Sequence, residues 1–216
     1  MRVACISDTH LFHQTTKKEV VDKWMSALSH CDAVVHAGDF TYKGTIEEIH
    51  CAAAWFRNLQ PRIKIATLGN HDWLGEKNPT KCREFFKGVH LLLDEGIEIE
   101  GKKFYGSPAS PRFYDWAFNY DRGPVIRKVW DKIPSGLDML ITHGPAAGYG
   151  CYMDKGGGEG CHDLLRTIEE KKPRYHLCGH FHLGYGVRRN VHTTFINAAL
   201  LNDKYQLAHH PIIVDI

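Results

Sequence analysis

No Cys-x-x-Cys pair occurs in this sequence, and its seven cysteines (5, 31, 51, 82, 151, 161 and 178) are odd in number and far apart. That spacing argues against a disulfide framework and a thiolate zinc knot, and favours a reducing cytoplasm. Cys5 and Cys178 lie in apolar segments and read as small core residues. Net charge is nearly absent as well: 27 Lys and Arg stand against 25 Asp and Glu. A balance of +2 gives no argument for a nucleic-acid groove or an anionic membrane partner. No apolar run approaches the roughly 18 residues needed to span a bilayer, and the opening "MRVACISDTH" reads as a strand rather than a secretion signal. Internal repeats and low-complexity stretches are missing too. With 216 residues, 43% hydrophobic and 24% charged, residues 1–216 are expected to form one globular domain.

What the chain has in excess is histidine, 15 residues, and their positions matter more than their number. The segments 2–7, 33–38 and 62–69 are short apolar runs, the second and third ending in glycine, and read as strands. Between them, Val20, Val21, Trp24, Met25 and Leu28 recur at helical spacing. Thr45 followed by Glu48 forms a capping box opening a helix whose Ile46, Ile49, Ala53 and Phe56 share one face. This β-α-β-α-β order predicts parallel strands with helices packed on them. The stretch 90–107, with "HLLLD", "GIEIEG" and "KKFYGS", predicts an antiparallel meander of short strands. A helix near 123–133, a strand at 138–142, a helix near 161–171 and the strands "YHLCG", "YGVRR", "TTFINA" and "PIIVDI" complete the pattern. The expected fold class is α/β: a mixed β-sheet sandwich flanked by helices.

The informative residues are those just past each strand. Asp8-Thr9-His10 comes after the first, Gly38-Asp39 after the second, and Gly69-Asn70-His71-Asp72 after the third. Later come Thr142-His143-Gly144-Pro145 and Gly179-His180-Phe181-His182. All sit at carboxyl ends of predicted strands, where α/β folds gather ligands, and all carry carboxylate, amide-oxygen or imidazole donors. Were 180–182 extended, its two histidines would share one face about 7 Å apart. Each motif alone has a bland reading, a turn or a satisfied histidine; five in succession do not.

This succession resembles the calcineurin-like metallophosphoesterase family over essentially the whole chain. Within it, "FYGSP", "WAFNYDRG", "ITHGP" and the spaced Gly-Cys and Asp-Leu-Leu near 160–165 are similar to small cyclic-nucleotide-type metallophosphodiesterases. The resemblance implies an αββα fold and two metal ions. Asp8, His10 and His182 would hold one, Asn70, His143 and His180 the other, with Asp39 bridging both. Paired ions about 3.5–4 Å apart acidify a shared water and clamp the attacking and leaving oxygens of an in-line displacement. Mixed N/O ligation without thiolate suits Mn, Fe or Zn. By the same analogy His71 is no ligand but protonates the leaving alkoxide, a task for a group titrating near neutrality. The catalytic pair implied is His71 and Asp39.

The implied activity is hydrolysis of small or cyclic nucleotide-like phosphodiesters, by a cytoplasmic protein with a small-molecule substrate and no membrane or nucleic-acid partner. Phosphomonoesterase, nuclease and metal-free scaffold are the alternatives. The completeness of the ligand set disfavours a scaffold, and the near-zero charge a nuclease. Protein phosphatases of the superfamily carry basic residues in their extended motifs; "GDFTYKG" and the Trp73 after "GNHD" depart from that pattern. Several side chains keep two readings. Asp72 either orients His71 or caps a helix. His36, inside a strand, reads as a satisfied core residue. The aromatics between 104 and 120 either stack a nucleobase or fill a satellite core. The glycine-rich 148–161 is either a flap over the site or a plain surface loop. Arg112 and Arg122 are candidates for contacting phosphate.

Overall fold

The computed structural model describes residues 1–150 and 160–216. The first half runs β1 (Arg2–Ile6), α1 (Phe12–Thr15), α2 (Lys18–Ser26), β2 (Ala33–Ala37), α3 (Ile46–Arg57), β3 (Ile63–Thr67), α4 (Trp73–Lys77), α5 (Pro79–Phe85) and β4 (His90–Leu91). There follow β5 (Glu95–Ile99), β6 (Lys102–Ser107), β7 (Ser110–Pro111), β8 (Asn119–Tyr120), α6 (Pro124–Trp130) and β9 (Met139–Thr142). The last part holds α7 (His162–Lys171), β10 (Tyr175–Cys178), a 3-10 turn (His182–Gly184), β11 (Gly186–Arg189), β12 (Thr194–Asn197) and β13 (Ile212–Asp215).

Two sheets carry the fold. One has the order β13-β1-β2-β3-β4, parallel except for β13; the other has β11-β12-β10-β9-β6-β5, parallel except for its two edge strands. Their facing sides bury Val3, Val35 and Ile65 of the first sheet with Phe104, Ile141 and Ile196 of the second. The outer side of the first sheet packs on Trp24, Ile49 and Phe56 from the helices, and the second sheet meets Ile126, Trp130 and Leu164. The result is the expected helix–sheet–sheet–helix sandwich.

Local chemistry explains the helices that position the site. Thr45 caps α3, its hydroxyl accepting from the Glu48 N–H at 3.3 Å, as the capping box predicts. Glu48 returns its carboxylate to the N–H groups of Lys43 and Gly44 instead of Thr45. Ile49, Ala53 and Phe56 face the core, but Ile46, at the open start of the helix, is exposed, as is Val20 of α2.

The meander expected over 90–107 is not formed. β4 pairs in parallel with β3 in the first sheet, and β5 and β6 make a separate hairpin in the second. The crossover through α4 and α5 returns the chain to the free edge of β3. The hairpin turns on Glu100 and Gly101, both with positive φ (52° and 73°), the conformation that matches strand twist in a two-residue loop. The parallel strands all present their carboxyl ends on one side, where a bridge between Ser7 and Ala199 stitches the sheets together.

Candidate metal centre

Every donor motif leaves the end of a strand at that shared edge: β1 delivers Asp8, β2 Asp39, β3 Asn70, β9 His143, and β10 His180. The backbone there is strained. Asp8, His10, Asp39 and His180 have φ of 52°, 38°, 57° and 66°, a left-handed region that costs non-glycine residues on the order of 1–3 kcal/mol each. Cross-loop bonds hold it in place: Asp8 N–H to the Gly38 carbonyl at 3.0 Å, and His10 N–H to the Asp39 carbonyl at 3.1 Å. Since His180 is left-handed and His182 opens a 3-10 turn, 180–182 is not an extended segment, and its two imidazoles part toward different clusters. Gly69 and Gly179 make room. A Cβ on Gly69 would lie 2.2 Å from Asp39 Oδ1, and one on Gly179 would lie 2.0 Å from Asp8 Oδ2.

The donors gather into two groups. Asp8, His10 and His182 each offer an atom to one, and Asp39, His143 and His180 to the other, the atoms of each group lying within 4.8 Å of one another. Asp39 Oδ2 stands 3.3 Å from His143 Nε2 and 3.7 Å from His10 Nε2, between the two. Asn70 Oδ1 joins the second group 2.8 Å from His143 Nε2.

Backbone carbonyls fix three of the rings. Nδ1–H of His10 donates to Thr41 O (2.7 Å), that of His143 to Ala37 O (3.0 Å), and that of His182 to Asn202 O (2.8 Å). With Nδ1 so occupied, each ring directs its Nε2 into the site, where that nitrogen can ligate once it has lost any proton. His10 Nε2 is buried and has no hydrogen-bond partner. With His143 neutral, its Nε2 and Asn70 Oδ1 are two acceptors in contact, relieved by a proton or a cation. The chemistry of this donor set fits paired metal ions.

In the metal-free chain a proton serves in place of a cation at His143 and His182. Burial raises Asp39 and Asp8, but the His143 charge and hydrogen bond at Asp39, and the His182 hydrogen bond and charge at Asp8, override it and hold both carboxylates below their usual range. Burial would lower His143 and His182; the carboxylates prevail and lift each to about 9. Burial dominates at His10 and His180, lowering them to about 4 and about 3.

A pocket of about 500 Å³ opens over the site, lined by Asp39, Asn70, His71, His180 and His182. His71 is anchored by its Nδ1–H to Tyr42 O at 2.7 Å and by its N–H to Asp39 Oδ1 at 2.9 Å, with its ring 4.3 Å from Trp116. Asp72 takes neither role foreseen for it. Its buried carboxylate accepts from the N–H groups of Phe40, Thr41 and Gly69 and from the Thr41 hydroxyl, clamping the loops after β2 and β3 together. Although it occupies the N-cap position of α4, its side chain makes no capping bond.

The aromatic stretch divides between its two readings. Phe104, Tyr105 and Phe118 are buried core, while Phe113, Tyr114 and Trp116 line the pocket. Arg112 and Arg122 line it too. His36 is the satisfied core residue expected: Gly38 N–H donates to its Nδ1, Nε2 meets the Thr9 hydroxyl at 3.0 Å, and its ring stacks on Phe40. Of the loop 148–161, residues 151–159 lie outside the described residues. Sequence patterns give no sign of Tyr42 and Tyr205, whose rings stand 5.2 Å and 4.9 Å from His10, nor of the carbonyls of Thr41 and Asn202.

Residues 1–184 match the Calcineurin-like phosphoesterase family. The chain belongs to this family. It is 32% identical over 240 residues to the Homo sapiens protein called Metallophosphoesterase domain-containing protein 1, covering all of this chain and 71% of that relative. It is 35% identical over 238 residues to the Caenorhabditis elegans UPF0046 protein C25E10.12, covering all of this chain and 81% of that one. The crystal structure of TT1561 from Thermus thermophilus shares the fold at a TM-score of 0.62 and 12% identity, covering 91% of this chain and 88% of that chain. Family and donor clusters together make this calcineurin-like protein a metal-dependent phosphoester hydrolase. Among the described residues no helix is long and apolar enough to cross a membrane.

Proposed function

We propose that the protein is a phosphodiesterase with a binuclear metal centre, acting on small nucleotide-like diesters in the cytoplasm. The observation that carries this reading is Asp39, one carboxylate oxygen of which lies within 3.7 Å of an imidazole nitrogen from each cluster. Asp8, His10 and His182 would hold one ion, and Asn70, His143 and His180 the other, with Asp39 shared. Manganese, iron and zinc all suit oxygen and imidazole donors. Paired ions in such a cradle acidify water and neutralise charge on phosphoryl oxygens.

The chain's own residues supply orientation and protons. Carbonyls of Thr41, Ala37 and Asn202 fix three ring planes before substrate arrives, so little reorganisation is left for the reaction. His71, with Nδ1–H committed to Tyr42 O, has Nε2 as its remaining site for a proton. Placed in the pocket beside Asp39, that nitrogen can hand a proton to the departing alkoxide. Phe113 and Trp116 offer ring faces beside the clusters, 4.9 Å from His180 and 4.3 Å from His71, and flat apolar faces suit a nucleobase.

The test is hydrolysis of bis(4-nitrophenyl) phosphate and of 2′,3′- and 3′,5′-cyclic nucleotides by metal-loaded protein, beside elemental analysis. Two ions per chain and loss of turnover in Asp39→Asn are expected. Undiminished turnover in that variant, or one ion at saturation, would overturn the reading.

A further inference from the structure

The pocket carries charge that the metal centre does not use. Two guanidinium groups, Arg112 and Arg122, stand in its wall together with Asp39 and His180. Arg112 is already compensated, its Nε donating to Asp121 Oδ1 at 2.6 Å. Arg122 is not: its Nη1 donates to the Gly160 carbonyl at 2.8 Å, and among the described residues no carboxylate pairs with it. That carbonyl bond aims the side chain. Gly160 packs against Ala146, a Cβ on Gly160 falling 2.7 Å from the Ala146 carbonyl oxygen. Cys161 N–H donates to the Pro145 carbonyl at 2.9 Å, and Gly144, Pro145 and Gly160 line the pocket with Arg122, Asp39 and His180, so Arg122 is tethered to the chain that follows His143. Its base is held too, by the Gly123 N–H donating to Asp163 Oδ2 at 2.9 Å.

A guanidinium has five donors in a rigid fork that matches phosphate and carboxylate oxygens. Among the described residues, a single carbonyl leaves most of the fork of Arg122 free. On the proposed reading the donor clusters would hold the ions that take the scissile phosphoryl, which leaves this fork for a different part of the substrate. We infer that Arg122 forms a second anion subsite, and that the preferred substrate carries a further anionic group, such as a terminal phosphate, on the arm beside His180.

The inference rests on the phosphodiesterase reading and names the substrate class within it. Two probes differing by one phosphate test it: thymidine 5′-(4-nitrophenyl phosphate), and the same ester bearing a 3′-phosphate. With metal-loaded protein at low salt, the 3′-phosphate should lower KM about tenfold, the range of one charge-assisted hydrogen bond. Arg122→Ala should abolish that preference, and Arg122→Lys should keep part of it, having charge without the fork. Rising salt should shrink the preference in wild type. Equal KM for both probes in wild type, or a preference that survives Arg122→Ala, overturns the inference.

Calorimetric binding of thymidine 3′,5′-bisphosphate against thymidine 5′-phosphate gives a readout free of turnover. Tighter binding of the bisphosphate that is lost in Arg122→Ala supports the subsite even where neither ester is cleaved, an outcome that would sink only the phosphodiesterase reading. Equal binding of the two overturns the subsite.

Discussion

The backbone N–H of His180 donates to both carboxylate oxygens of Asp8, each at 3.0 Å, joining residues 172 positions apart. The first and last strand ends of the site are thus tied by a carboxylate that also faces His182 at 3.5 Å. Asp8 therefore has a structural task before any metal binds. Asp8→Ala should destabilise the chelator-treated protein by about 1–3 kcal/mol, because it strands a part-buried N–H. Denaturant unfolding in excess chelator measures this. An unchanged midpoint would show that the bond contributes nothing and that Asp8 serves the metal alone.

Space at the site is as constrained as charge. Gly69→Ala would drive a methyl to 2.2 Å from Asp39 Oδ1 and 2.7 Å from His143 Cε1, so the Asp39 carboxylate must move. We expect fewer than two ions per chain by elemental analysis. The overpacking should also lower stability by about 1–3 kcal/mol. Full metal content in this variant would mean that Asp39 can leave its observed position without penalty.

How much of the site is legible in the sequence depends on the kind of group involved. Asp8, Asp39, Asn70, His143 and His180 are legible because each side chain announces its chemistry and each comes just after an apolar strand. The ring-fixing partners Thr41, Ala37 and Asn202 are not, since a carbonyl is common to every residue. Tyr205 escapes notice because it lies far along the chain from any motif, reaching His10 only through the fold. Asp72 is misjudged since its partners, Phe40 and Thr41, are some thirty residues away, and local patterns favour a local cap. The strand His90–Leu91 has only two residues, too short for its pattern to choose a sheet; the crossover through α4 and α5 decides.

The proposed acid, His71, should be separable from the proposed metal donors by its dependence on the leaving group. An alkoxide needs a proton as it departs, while 4-nitrophenolate leaves unaided. His71→Ala should cut turnover of alkyl diesters on the order of 10²–10³-fold, within the usual span of general acid catalysis. For bis(4-nitrophenyl) phosphate the loss should stay below about tenfold. A loss of equal size on both substrates would assign His71 to binding or metal support.

Metal uptake should be proton-coupled, with a sign set by His143 and His182. Both are lifted to about 9 in the metal-free chain, above the unfolded value near 6.5, so at pH 7 each carries a proton on the nitrogen that would ligate on the proposed reading. Loading displaces those protons. Between pH 6 and pH 8 apparent affinity should rise about tenfold per pH unit for each proton released, flattening above about 9. Calorimetry at pH 7 in two buffers of different ionisation enthalpy counts the protons. The same shifts stabilise the metal-free fold in full below the unfolded value, and that contribution fades as pH rises through about 9. Chelator-treated protein should accordingly unfold more easily at pH 9.5 than at pH 7, with the difference reduced in His143→Gln. Proton release of zero at pH 7 would mean that the carboxylates do not hold these rings charged.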